Sequence, residues 1–216
     1  MKTRVVTCLV ILWGVFLFGQ SALSADSASA NNESAFRKSL PDAPDGFDWV
    51  LYRNCAFLKP HGWTQRSRPD VPEEKTVGSI AISPEDFSET KFFEHGFTVQ
   101  VIANFKKLNK IEPSKGAAAI IQTAAKLRKP DENIMATAKQ NERGALLVYR
   151  YRDAPAGETP IIVHKYFIAD DVSDTLHIFI YESPVATWDD NWKQFGTPIL
   201  QKIVVLPLLP ESEWVR

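Results

Sequence analysis

The chain has 216 residues, 44% hydrophobic and 24% charged, with a formal net charge of −1. That length and apolar content suffice for one domain with a sizeable core. The near-neutral balance lacks the basic footprint of nucleic-acid binding, so no nucleic-acid partner is expected.

The first 25 residues read as an export signal. Lys2 and Arg4 open it, Val5 to Gly19 is apolar, and Ser21-Ala22-Leu23-Ser24-Ala25 supplies small residues for cleavage after Ser24 or Ala25. The apolar run is about 15 residues, short of the ~20 that span a bilayer. The competing reading is an uncleaved anchor; with cleavage, no membrane span is expected and the protein is periplasmic or secreted. Cys8 belongs to this segment, which leaves Cys55 alone. A lone cysteine makes no intramolecular disulfide, and its apolar setting reads as a buried thiol. A catalytic thiol would need a histidine beside it in space.

Residues 26–45 are rich in Ala, Ser, Asn, Asp and Pro and read as a disordered tether, with the folded domain over 46–216. Phe47 to Leu58 has the pattern of a strand or strand pair. Lys59-Pro60-His61-Gly62-Trp63 follows as a turn that returns to the core. Gln65 to Lys75, with Pro69 and Pro72, reads as a loop. Thr76 to Ser83 is a short strand, and Pro84 to Thr90 an acidic surface turn. Lys91 to Phe105 carries a strand, with Phe97, Val99 and Val101 on one face and Thr98, Gln100 and Ile102 on the other, and belongs nearer a sheet edge than the strands at Pro160 to Glu182.

Ser114 is placed to cap a helix in which Ala117, Ile120, Ile121, Ala124 and Leu127 recur at three and four. Asn133 to Gln140 and Ala145 to Arg152 form a hairpin around N-E-R-G. There Leu147, Tyr149 and Tyr151 share one face, and Val148, Arg150 and Arg152 the other. Pro160 to Glu182 is a second hairpin, apolar on both faces, with Asp170 to Ser173 as its loop. Two apolar faces imply cover on both sides. The last helix is expected to start at Ser183 and Pro184. It carries Trp188, Trp192, Phe195, Ile199 and Ile203 as one stripe, and Pro198 should kink it near Gly196. The fold class is therefore α/β: an α/β/α sandwich around a largely antiparallel sheet.

The K-P-H-G-W turn at Lys59 to Trp63 resembles the Pro-x-Gly-Trp entry of PsbP-like proteins, relatives of the extrinsic photosystem II protein, here in a bacterial form. The G-F-T-V-Q-V strand at Gly96 to Val101, the Y-E-S-P-V-A-T-W-D-D-N-W-K run at Tyr181 to Lys193 and the P-I-L-Q-K-I-V ending fit the same pattern. The resemblance covers roughly Phe47 to Leu206. It implies an α/β/α sandwich in a lumen or periplasm, with an accessory or assembly role and no catalysis. The photosystem role has no matching residues here.

No G-x-G-x-x-G, P-loop, G-x-S-x-G or H-E-x-x-H pattern occurs, so no cofactor is expected and no catalytic residue is assigned. With the hairpin loop at Asp170 to Ser173, His164 and His177 would lie diagonally on one face and could share a metal ion. Tyr149, Arg150, Tyr151 and Arg152 form the second candidate, a pocket for a carboxylate or acidic ligand. Glu85, Asp86, Glu89, Asp170, Asp171 and Asp174 read as solvated turns. The expected activity is binding, to a protein partner in the cell envelope or a small ligand. The alternatives are a hydrolase using a serine or Cys55 with a histidine, a metal-binding domain, and a purely structural envelope component.

Overall fold

The structure is a computed structural model that describes residues 34–67, 77–87, 93–154 and 158–206. The signal at 1–25 and the first part of the expected tether, 26–33, lie outside the described residues. The remaining tether residues are ordered. Residues 34–39 form a short helix, α1, with Phe36 buried and Ser39 Oγ donating to the Phe36 carbonyl. Trp49 Nε1 donates to the Pro41 carbonyl at 2.7 Å. One aromatic anchor on each side ties down a stretch whose composition reads as tether.

β1 (Phe47–Tyr52) and β2 (Cys55–Pro60) form an antiparallel hairpin, and β10 (Val204–Val205) joins β2 to complete a small sheet. The main sheet has seven strands. They are β3 (Thr64–Ser67), β4 (Val77–Ser83), β5 (Gly96–Ala103), β6 (Asn133–Asn141), β7 (Gly144–Asp153), β8 (Ile161–Asp170) and β9 (Thr175–Pro184). Their order is β3-β4-β5-β9-β8-β7-β6, antiparallel throughout. β3 overlaps the start of the stretch read as a loop, which began at Gln65. Its four side chains are all exposed, so no hydrophobic alternation marks it, and pairing with β4 alone makes it a strand.

The β8–β9 hairpin sits inside this sheet with both faces covered. On one face Ile161, Val163, Phe167, Leu176 and Ile178 pack with Ala117 and Ile121 of α3 (Pro113–Lys126) and with Phe105 of α2 (Phe105–Asn109). On the other, Ile162, Phe179 and Tyr181 pack with Phe57 and Leu58 of the small sheet and with Trp188 and Ile199 of the C-terminal rod. The architecture is the α/β sandwich that two apolar faces demand.

The hairpin loop is Asp171 to Asp174, one residue later than expected, because Asp170 pairs with Thr175. Asp174 adopts a left-handed φ of 52° that closes the turn. The loop aspartates are not idle solvated groups. Asp171 accepts from the Ser114 backbone N–H at 2.8 Å and from Ser114 Oγ at 2.6 Å. Asp174 accepts from the Lys106 N–H, and its carbonyl takes the Phe105 N–H. Carboxylates at helix N-termini satisfy orphan donors and meet the favourable end of the dipole. So α3 begins at Pro113, one residue before Ser114, and is capped from the loop.

The rod starts later than its sequence signals imply. Ser183 and Pro184 still belong to β9, opposite Ile162 and Ile161. A 3₁₀ turn (Val185–Thr187) leads into α4 (Trp188–Asn191), a π turn (Trp192–Gly196) and α5 (Thr197–Gln201). The Thr197 N–H reaches back to the Trp192 carbonyl, and Pro198, next in line, has no N–H to give. The missing donor shows as a widened turn at the place where a kink is expected.

Gly116 lies against the Phe105 ring, where an added Cβ would collide with ring carbons. Gly→Ala inside a helix normally gains about 1 kcal/mol. Here Gly116→Ala should instead destabilise, by about 1–3 kcal/mol of overpacking. Urea unfolding of the variant checks the sign.

Candidate functional site

β7 divides its four candidate residues between two environments. Tyr149 and Tyr151 point toward α3 and are 1% and 5% exposed. The Tyr149 hydroxyl donates to Asn133 Oδ1. Arg128, just past the end of α3, places its guanidinium carbon 3.5 Å from the centre of the Tyr151 ring and donates to the Ala124 carbonyl. Burial raises both phenol pKa values. These tyrosines are core groups, packed in the cluster beneath α3.

Arg150 and Arg152 emerge on the opposite face. Arg150 Nε donates to His164 Nδ1 at 3.1 Å, across the register that pairs the two residues. Its guanidinium carbon lies 4.3 Å from the Trp192 ring centre and 5.0 Å from that of Trp188. The two indoles stack at 5.1 Å and 18°, and the His164 ring lies 4.7 Å from Trp192. Burial, helped by the Arg150 charge, pushes the His164 pKa down to about 3. His164 is therefore neutral at neutral pH, and accepting from Arg150 assigns its proton to Nε2. Burial also works against the Arg150 charge, while the Asp189 carboxylate supports it. Among the described residues neither Nη of Arg150 has a hydrogen-bond or ion-pair partner, nor has exposed Arg152. A guanidinium held at Nε and on its face, with the Nη edge unspent, is preorganised for a carboxylate or oxoanion.

The rod that supplies the indoles is clamped by a network the sequence did not reveal. The Tyr181 hydroxyl donates to the Asn191 carbonyl at 2.8 Å, which leaves its oxygen to accept from His95 Nε2 at 2.9 Å. Asn191 Nδ2 donates to Ser183 Oγ at 2.8 Å. Tyr181, Ser183 and Asn191 all fall within the run at Tyr181 to Lys193. Only His95, distant in sequence, gave no signal.

No protein-family model matches the sequence, and no curated protein does. Similar folds do exist among solved structures. The chain is similar to cyanobacterial PsbP from Synechocystis sp. PCC 6803, at 14% identity and a TM-score of 0.46, over 76% of this chain and 95% of that one. It is similar to the Ran-binding protein Mog1p of Saccharomyces cerevisiae, at 15% identity and a TM-score of 0.42, over 74% of this chain and 95% of that one. A third is LpqN of Mycobacterium tuberculosis, a protein involved in cell envelope biogenesis, at 11% identity and a TM-score of 0.37, over 76% and 87%. PsbP, the resemblance drawn from the sequence, is among them.

The remaining candidates have structural employment. His164 and His177 do share a face, but Ile168 opposes His177 and Tyr181 opposes His164. The two histidines are thus four positions apart along the ladder, about 13 Å, too far for one ion. The shorter separation came from the loop being read one residue early. His177 Nε2 bonds Asn54 Oδ1 at 2.8 Å, and Asn54 Nδ2 donates to the Leu206 carbonyl, so this histidine ties the main sheet to the small one. Among the described residues no three metal-ligating side chains converge. Cys55 is fully buried, its thiol donates to the Tyr52 carbonyl, and burial pushes its pKa up to about 12. A thiol so buried and so weakly acidic is a poor nucleophile in the folded chain. No helix of the described residues is long and apolar enough to cross a membrane.

Burial holds His95 and His177 down to about 4, with His164 at about 3. An unfolded histidine titrates near 6.5. Below that value the unfolded chain takes up protons that the folded one refuses. Stability present above pH ~6.5 should therefore be lost as pH falls toward about 4. Urea unfolding from pH 7.5 to 4.5 checks this, and a flat profile would contradict it. Cys55 should resist Ellman's reagent until the protein unfolds.

Proposed function

We propose that this protein is an exported, non-catalytic binding module of the cell envelope, with an accessory or assembly role. It recognises an acidic segment of a protein partner on the Arg150 face. The observation that carries the reading is the Arg150 guanidinium, stacked on Trp192 and Trp188, anchored through His164, and unpaired at its Nη edge among the described residues. Two parallel N–H donors match a carboxylate, and a stack on indole keeps the fork in place without consuming them. Exposed Arg152 lies two residues along the same face and extends the positive surface. Export rests on the basic start and apolar run of residues 1–25.

The direct test titrates the purified protein with a capped glutamate-rich peptide and, separately, with acetate, by calorimetry and by NMR of the Arg150 and Trp192 side chains. The peptide should bind, more weakly as salt rises. Acetate alone should bind far more weakly, since it makes one contact. Arg150→Ala should lose about tenfold or more in affinity, the value of one charge-assisted pair. Arg150→Lys should not restore it, because an ammonium offers no fork. Equal binding by wild type and both variants would overturn the proposal. Export predicts that the mature chain begins at Ala25 or Asp26.

A further inference from the structure

The Arg150 face continues along the sheet toward the hairpin loop. The next residues of β7 on that face are Val148 and Leu146. Both are half-buried and belong to neither core cluster, whereas Leu147 and Tyr149 on the α3 face are buried. The ladder sets Tyr166 of β8 beside Val148, and Met135 of β6 beside Arg150. Met135 is 36% exposed. Tyr166 is half-buried, and among the described residues its hydroxyl has no hydrogen-bond partner. The two core layers thus leave an apolar strip open beside the guanidinium. Its far end is cationic: Lys139 of β6 pairs with Leu146 on the same face and is exposed. Among the described residues Lys139 has no hydrogen-bond or ion-pair partner. The irregularity of the β6–β7 ladder, between Asn133 and Met135, lies before these pairs and does not disturb them. Leu146 is four positions from Arg150, so the two cations stand about 13 Å apart along the strands. Between them, on this face, no position of β6, β7 or β8 carries an acid.

We infer that the segment held at Arg150 carries two carboxylates flanking a bulky apolar side chain, all three on one side of an extended chain. This pattern presupposes the Arg150 contact proposed above and adds what lies beside it. Alternate residues of an extended chain face one side, and residues four apart are about 13 Å apart, the spacing of the two cations. The first carboxylate takes the Nη edge of Arg150, and the fifth residue's carboxylate reaches the Lys139 ammonium. The third residue's side chain lies on Val148 and Tyr166, and the Tyr166 hydroxyl is left to bond the segment's main chain. The charges select this occupant. An apolar chain would cover the strip and leave both cations unmatched. A run of acids alone would match the cations and leave the strip wet. The alternating segment satisfies both at once.

The test titrates the purified protein with three capped pentapeptides, followed by NMR of the Val148 methyl and Arg150 side-chain signals. Glu-Thr-Phe-Thr-Glu has the pattern. Thr-Glu-Phe-Glu-Thr has the same composition and charge but turns its acids away from the ring. Glu-Thr-Ser-Thr-Glu keeps the acids and lacks the ring. The first should bind about tenfold or more tighter than either control, since a charge-assisted contact or a buried ring is each worth that much. Lys139→Glu alters only an exposed side chain. It should weaken Glu-Thr-Phe-Thr-Glu and favour a peptide with lysine in place of one terminal glutamate, a reversal that a general loss of structure would not produce. Equal binding by Glu-Thr-Phe-Thr-Glu and its rearrangement overturns the inference. If Arg150→Ala still weakens both, the Arg150 contact stands without the strip; if it does not, both readings fall. Val148 signals that move with protein concentration and not with peptide would identify a second copy as the occupant, and would also overturn it.

Discussion

The β8–β9 hairpin cannot present either face to water. Along Ile161–Asp170 and Thr175–Pro184 most positions on both sides are buried. Removing that much apolar area from water is favourable at about 25 cal/mol per Å², but only if a layer lies on each side. α3 supplies one layer; the small sheet and the rod supply the other. Phe57, Phe97, Phe167, Phe179 and Leu176 are fully buried between them. With one layer missing, the hairpin would expose an apolar surface large enough to associate or aggregate.

This constraint also creates the candidate site. Neither covering layer reaches the end of the sheet. β6 is exposed beyond half-buried Asn133, and β7 is covered on the α3 face while its opposite face remains partly open. Arg150 stands at that margin. It is one strand in from the open edge, close enough to the rod to stack on its indoles, and it faces the opening with its Nη edge unspent. The rod holds its position because Tyr181 and Ser183 of β9 grip Asn191. Gly196 completes the fit: a Cβ there would press on the Trp192 and Tyr181 rings. The architecture thus sets the indoles, the indoles set the guanidinium, and the guanidinium defines the chemistry on offer.

Much of the fold was legible because hydrophobic periodicity is a direct record of burial. The two-faced hairpin, the Tyr149/Arg150 division of β7 and the stripe from Trp188 to Ile199 all read correctly, since each reflects which side of an element is dry. What failed was local chemistry overruled by distant partners. Ser183-Pro184 has the composition of a helix start, yet β8 recruits it as strand. Asp170, Asp171 and Asp174 have the composition of a wet loop, yet two of them cap helices that arrive from elsewhere in the chain. The one-residue slip in the hairpin loop followed from the same blindness, and it moved His177 relative to His164. Arg150 was legible as a binding residue by type. Its tryptophan and histidine supports were not, because they come from separate elements and meet only in space.

Native-state hydrogen exchange measures the central claim most directly: the β8–β9 hairpin, shielded on both sides, is the most stable part of the molecule. The account predicts that the amides of Val163, Phe167, Leu176, Ile178 and Phe179 exchange only through global unfolding, while β3 amides at the sheet's short edge exchange through local opening. Hairpin amides that exchange as readily as those of β3 would contradict it, since one of the two covering layers would then be absent in solution.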